Sequence, residues 1–270
     1  MITVGGIADL RAVLASMRAG GTVGFVPTMG ALHDGHVGLF VQARAESATV
    51  VASIFVNPKQ FNDPSDLAAY PRQQARDASI AVKAGIDVLF VPPVEEIYPD
   101  GHATVIDIGG AASGFEGDRR PGHFSGVATV CLALFNIVKP DVAYFGQKDA
   151  QQVAVIRQLV RDLALDLEVR VGPTVRDDDG VALSSRNARL SPDDRRRAQV
   201  IPQALRASVA AHRAGGDPVA AAREALAGLE VEYADVADFG GRKTLVVAVR
   251  VGAVRLIDNV PLDAPALAGL

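Results

Sequence analysis

GTVGFVPTMGALHDGHVGLFVQARAES, residues 21–47, runs an apolar stretch of strand length into a glycine- and histidine-bearing turn and then into a helical pattern. Working outward, the same alternation recurs. ATVVASIFV (48–56), IDVLFV (86–91), DVAYFG (141–146) and LEVRVG (167–172) are strand-length runs rich in Val, Ile and Phe. Between them RQQARDASIAVKAG, FSGVATVCLALFNIV and DAQQVAVIRQLVRDL carry helical spacing. Parallel strands need crossovers, and strands buried on both faces read as continuous apolar runs. The pattern predicts an α/β domain over residues 1–175, a parallel sheet with helices on its faces. Residues 92–123 hold two Gly-rich stretches and several turn residues, too many for a simple connection. A small excursion or a mobile flap is expected there.

From about residue 176 the character changes. Ser191 with Pro192, and Asp217 with Pro218, read as helix caps followed by proline at the first helical position. VEYADVADF and TLVVAVRVGAVRLI then alternate, as in a half-buried antiparallel sheet. Residues 176–270 are therefore expected to form a smaller α+β domain.

A chain of 270 residues with almost half of them apolar can bury a real core. The net charge of −4 and the lack of a basic tail argue against a nucleic-acid partner. No apolar run is long enough to span a bilayer, and MITVGGIADLRAVLASMRAGG lacks the regions of a signal peptide. Cys131 is the single cysteine, which excludes an intrachain disulfide and a cysteine-built metal cluster; it reads as buried packing. A cytoplasmic enzyme or binding protein is expected.

Four polar segments share one address. PTMGALHDGH follows the first strand, NPKQF the second, GQKD the fourth and GPTVRDDDGVALSSR the fifth. In open α/β sheets ligands bind at the carboxyl ends of the strands. His33 and His36 admit three readings. A metal pair would need a third and usually a fourth ligand, and His102, His123 and His212 stand outside comparable motifs. A solvated loop needs nothing more. A phosphate site would use the N–H groups and positive end of a helix opened by Gly35 and His36, with both imidazoles donating alongside. Lys148 and Asp149 of GQKD form either a surface ion pair or a contact to phosphate and ribose. Ser184, Ser185 and Arg186 make either a capping turn or a phosphate clamp. Asn57, Gln60 and Gln152 carry amides able to bond hydroxyls and carboxylates. Asp77 lies on a solvated helix face or contacts Mg²⁺. No GxxxxGK[ST] and no GxGxxG is present, against a P-loop NTPase and a dinucleotide dehydrogenase.

VPTMGALHDGH, SIFVNPKQF, AYPR, EGDRRPGHFSGV, FGQKDAQQ and VRDDDGVALSSRN, in that order, resemble the motif series of the pantothenate synthetase family, within the nucleotidylyltransferase superfamily. The similarity covers roughly residues 22–190, and RLIDN (255–259) resembles the family's C-terminal end. The chain is short around VEYADVADFGGRKT, and Leu183 stands where many relatives have Met. The resemblance implies a Rossmann-like domain with an HxGH motif, a smaller C-terminal lid, and a cytoplasmic homodimer. It implies ATP- and Mg²⁺-dependent joining of pantoate and β-alanine. By matching position, Met29, Gly30, Ala31, Leu32, His33, Asp34, Gly35 and His36 would line the ATP site, with His36 in the proton-donor place. Gly146, Gln147, Lys148, Asp149, Val175, Leu183, Ser184, Ser185 and Arg186 would complete it. Gln60 and Gln152 would hold pantoate, with Asn57 alongside and Gln60 also near β-alanine. His33, His36, Lys148 and Arg186 would be catalytic.

Overall fold

The computed structural model describes residues 1–264. The chain divides into two compact units, Met1–Gly146 with Gln151–Gly172, and Gln147–Ala150 with the chain from Pro173 onward.

The first unit is built on six parallel strands, β1 (Ile2–Val4), β2 (Val23–Thr28), β3 (Thr49–Ile54), β4 (Val88–Phe90), β5 (Val142–Gly146) and β6 (Glu168–Gly172). Their order across the sheet is β1-β4-β3-β2-β5-β6. Side chains of a strand alternate between faces, and both faces here are apolar. Val23, Phe25, Val51, Val88, Phe90, Ala143 and Phe145 enter one core with the helices Ile7–Met17, His123–Val138 and Ala150–Asp162. Val26, Val50, Ala52, Leu89 and Tyr144 enter the other, against Asp34–Glu46 and Gln74–Lys83. Continuous apolar strands are the result. Cys131 packs in the first core, where burial pushes its thiol up to about 12.

β1 is the strand that sequence reading misses. It has three residues, an exposed start and one neighbour, β4, so neither length nor alternation marks it. The strand order changes direction between β2 and β5, which pair directly. That is the topological switch point, where such sheets leave a crevice beyond the strand ends.

The 92–123 excursion holds two short helices, Val94–Ile97 and Phe115–Arg119, and is pinned rather than loose. Gln151 Nε2 donates to the carbonyls of Ala111, Ser113 and Gly114, and its Oε1 accepts from Glu116 N. Gln158 holds Gly109 and Ala111 in the same way.

The second unit contains the helices Pro192–Ala198, Val200–Arg213 and Pro218–Ala225 and an antiparallel sheet of β7 (Glu230–Asp238), β8 (Lys243–Val251) and β9 (Val254–Pro261). Both expected caps are made: Ser191 Oγ accepts from Asp194 N, and Asp217 Oδ1 from Val219 N and Ala220 N. The run 244–257, read as one alternating stretch, is two strands joined by a tight turn at Gly252 and Ala253. Alternation survives such a turn because paired strands place their apolar residues on the same face.

RDDDG (176–180) is a turn, clamped by Arg195, whose guanidinium reaches Asp179 at 2.6 and 2.7 Å and Asp177 at 2.5 Å. The Arg195 hydrogen bonds hold the Asp179 carboxyl below the usual carboxylate range. Unfolding returns it to about 3.9. The pair therefore contributes fully above that value, and its contribution fades as pH falls through the lower folded value. Asp179→Asn is expected to lower stability at pH 7 by up to about 1 kcal/mol, since the pair is partly exposed. Urea unfolding of variant and parent should converge toward pH 2–3; a constant gap down to that pH would contradict the assignment.

Candidate active site

The loop after β2 is shaped by its own backbone. Gly30 has φ 80° and Ala31 φ 51°, both left-handed. A Cβ at Gly30 would sit 2.9 Å from Asp77 Oδ2 and 3.0 Å from Ile54 Cγ2, so only glycine fits. Ala31 N donates to Asp77 Oδ2 and Leu32 N to Asp77 Oδ1, each at 2.9 Å. Thr28 Oγ1 ties the start of the loop by accepting from Gly30 N and donating to Ser53 O. Leu32 is buried beneath it.

His33 is the N-cap of the helix Asp34–Glu46, in extended conformation. Its Nδ1 accepts from Gly35 N at 3.2 Å, while its own N–H donates to His36 Nδ1 at 3.3 Å. Two histidines thus do the work usually given to a Ser–Glu pair. Because each Nδ1 is an acceptor, each neutral ring carries its proton on Nε2. The rings lie 4.2 Å apart between centroids. The N–H groups of Gly35, His36 and Val37 are all engaged with His33. No group of three or more His, Cys, Asp or Glu able to hold a metal occurs among the described residues.

Asp77, the candidate for metal contact, is 1 % exposed. Both its oxygens are engaged by the loop backbone, and it sits on the buried side of its helix rather than on a solvated face. Its observed task is to hold the loop.

After β3, Asn57 caps the short turn Pro58–Gln60. Asn57 Nδ2 donates to Gln60 Oε1 at 2.9 Å and to Gly126 O at 3.1 Å. Gln60 Nε2 lies 3.1 Å from Met29 Sδ, joining this turn to the loop after β2. His123 donates through Nδ1 to Gln60 O at 2.9 Å, and Arg120 stands 3.0 Å from its other ring nitrogen. Gln152 occupies the first turn of Ala150–Asp162, half-buried, beside the Gln151 that pins the excursion.

In the second unit, Gln147–Asp149 form a tight turn directly after β5. Asn259 of β9 clamps it: Nδ2 donates to Gln147 O and Lys148 O, and Oδ1 accepts from Gln147 Nε2. Lys148 is 3.5 Å from Asp149 Oδ1, a loose contact that leaves the ammonium able to serve another oxygen. Val175 O accepts from Leu183 N, closing the 175–183 turn. Ser184 Oγ caps the next turn by accepting from Arg186 N. Lys148, Ser184 and Arg186 line one pocket with Asn187, Ile201 and Asp258. GQKD and LSSR therefore meet, as the sequence led one to expect.

Two residues escape sequence reading. Asn259 positions Lys148, and Asp258 holds Arg176 in an ion pair at 2.6 and 3.0 Å, 3 % and 7 % exposed. Both lie in RLIDN (255–259), and the signal beside that resemblance is the break in apolar alternation at IDNV (257–260), two consecutive polar residues in a strand.

Comparison with known proteins bears on all of this geometry. The family model for pantoate–β-alanine ligase matches residues 3–261. The pantothenate synthetase of Rhizorhabdus wittichii is 48 % identical, with 97 % of this chain and 99 % of that protein aligned. That of Herpetosiphon aurantiacus is 46 % identical, over 94 % and 98 %. The crystal structure of the Thermus thermophilus enzyme superposes with a TM-score of 0.92 at 44 % identity, covering 97 % of this chain and 99 % of that one. The Francisella tularensis pantoate–β-alanine ligase, complexed with β-γ ATP and β-alanine, gives 0.85 at 38 % identity, covering 98 % and 99 %. With a match running almost end to end, the chain belongs to the pantoate–β-alanine ligase family.

Proposed function

We propose that this chain carries out its family's ATP-dependent condensation of (R)-pantoate with β-alanine by way of a pantoyl adenylate. A carboxylate is a poor electrophile, so amide formation first needs a better leaving group. A pantoate carboxylate oxygen attacks the α-phosphorus, the bond to the bridging oxygen breaks, and pyrophosphate leaves. The amine of β-alanine then attacks the acyl carbon, expelling AMP and shedding a proton. Such steps ask mainly for positioning and charge stabilisation. His33 and His36 donate from Nε2 to phosphate oxygens. Lys148, Ser184, Ser185 and Arg186 take the charge that builds on the departing pyrophosphate. Gln60 and Gln152 hold pantoate, with Gln60 also near the amine, and the buried Asn57 supports Gln60 from behind.

The observation that carries this reading is the pocket of the second unit, where a clamped lysine, a capping serine and an arginine converge. The complex of the Francisella relative with β-γ ATP and β-alanine supports the same substrates. Asp77 spends both carboxylate oxygens on the loop backbone and does not fit a metal ligand's place; Mg²⁺ carried on the triphosphate would neutralise part of its charge. The second unit acts as a lid that keeps water from the adenylate. A cytoplasmic homodimer completes the proposal; no described helix is long and apolar enough to cross a membrane.

The test mixes excess protein with ATP and pantoate, first without β-alanine. One equivalent of pyrophosphate should appear, and adding β-alanine should then give AMP and pantothenate. Release of ADP and phosphate instead would place the attack on the γ-phosphorus and reject the adenylate.

A further inference from the structure

We infer that Tyr98 is a positioning residue for pantoate, setting through Asn57 the direction in which the Gln60 amide points. The inference rests on the reading of Gln60 as a pantoate contact.

An amide can be turned either way round, and only its partners decide which end is the donor. Asn57 is 1 % exposed, so its choice is made by protein groups alone. The Tyr98 hydroxyl donates to Asn57 Oδ1 at 2.8 Å, and Lys59 N donates to the same oxygen at 3.2 Å. Two donors on one atom identify it as the oxygen. The Asn57 nitrogen is then the donor to Gly126 O and to Gln60 Oε1. With its oxygen occupied, Gln60 turns its NH₂ the other way, toward Met29 Sδ. Thioether sulfur is a weak acceptor, and the NH₂ has a second hydrogen. The amide is thus set to donate to an oxygen, as a carboxylate or hydroxyl of pantoate requires. Reversed, it would offer its own oxygen to a carboxylate and repel it.

The surroundings hold this chain of bonds rigid. Burial, first, and the nearby Cys131 thiol hold the Tyr98 hydroxyl well above the ordinary phenol range, so it stays a donor. Phe55 packs against the ring edge at 6.0 Å, and Lys59 Nζ stands 4.5 Å over its face. The helix bearing Gly126 lies so close that a Cβ there would come 2.2 Å from Lys59 O. The turn that carries Asn57 and Gln60 has no room to rotate away.

Tyr98→Phe keeps the ring and deletes one donor. The expected result is a rise of about five- to tenfold in KM for pantoate, with KM for ATP and kcat within about twofold of the parent. In an Asn57→Ala background the same change should add nothing, because the route runs through Asn57. An unchanged pantoate KM in Tyr98→Phe, a parallel rise in KM for ATP, or additive effects in the double variant would each overturn the inference. Gln60→Ala separates it from the reading it rests on. If Gln60→Ala raises the pantoate KM and Tyr98→Phe does not, only the relay fails. If neither does, the pantoate contact at Gln60 fails with it.

Discussion

Lys148→Ala is expected to slow pyrophosphate release in a single turnover by about a hundredfold or more, and His36→Ala by as much. A donor aimed at charge that develops in the transition state is worth about 3–4 kcal/mol, and each 1.36 kcal/mol is a factor of ten. Lys148 is suited to this because its side chain is only 18 % exposed and its backbone is clamped by Asn259. A partly desolvated ammonium on a fixed turn stabilises an oxyanion more than a mobile surface lysine would. His36 complicates its own test, since its Nδ1 also accepts from His33 N at the helix start. His36→Glu addresses this. Glutamate at that position of a capping box can still accept from the cap backbone, and its carboxylate offers no N–H donor. The expected pattern is stability near the parent in urea for His36→Glu, with adenylate formation at least as low as in His36→Ala. Near-normal single-turnover pyrophosphate release in Lys148→Ala and His36→Ala would remove both residues from the chemistry.

Much of this was legible in the chain itself, for physical reasons that particular residues show. β2 and β3 are buried on both faces, so Val23, Phe25 and Val26 or Val50, Val51 and Ala52 announce a strand without any alternation. The caps at Ser191 and Asp217 are local chemistry, readable from neighbours alone. What escaped depends on partners distant in sequence. β1 exists because β4 offers an edge, and three residues carry no period of their own. Strand order follows from packing, not from any one segment. The histidines were recognisable as a pair, but their use as mutual caps was not, because imidazole is an uncommon capping group and Nδ1 must face the backbone. Asn259 meets Lys148 across more than a hundred residues. Asp77 illustrates the limit best: in RQQARDASI it looks like a charge on a wet helix face, and only the loop laid over it explains a carboxylate there.

Asp77→Ala should accordingly act on fold and chemistry together. It leaves the N–H groups of Ala31 and Leu32 without acceptors in a place closed to water, at about 1–3 kcal/mol each, so roughly 2–6 kcal/mol of stability is at stake. Relaxation of the loop is the way to recover part of that loss, and the loop is not indifferent. Ala31 keeps a left-handed conformation that costs an L-residue about 1–2 kcal/mol, and the Asp77 bonds are what hold it. Released, the chain would straighten just before His33, and both imidazoles would lose their fixed place. Asp77→Asn should fall between parent and Ala, since one oxygen remains while the new NH₂ faces a backbone N–H. The measurements are the urea midpoint, the KM for ATP and the Mg²⁺ concentration that gives half-maximal rate. A loop anchor lowers the first, raises the second and leaves the third where it was. A metal ligand would do the reverse with the ion, and excess Mg²⁺ would restore Asp77→Asn. Such a rescue would return the carboxylate to the metal and leave the left-handed turn at Gly30 and Ala31 in need of another support.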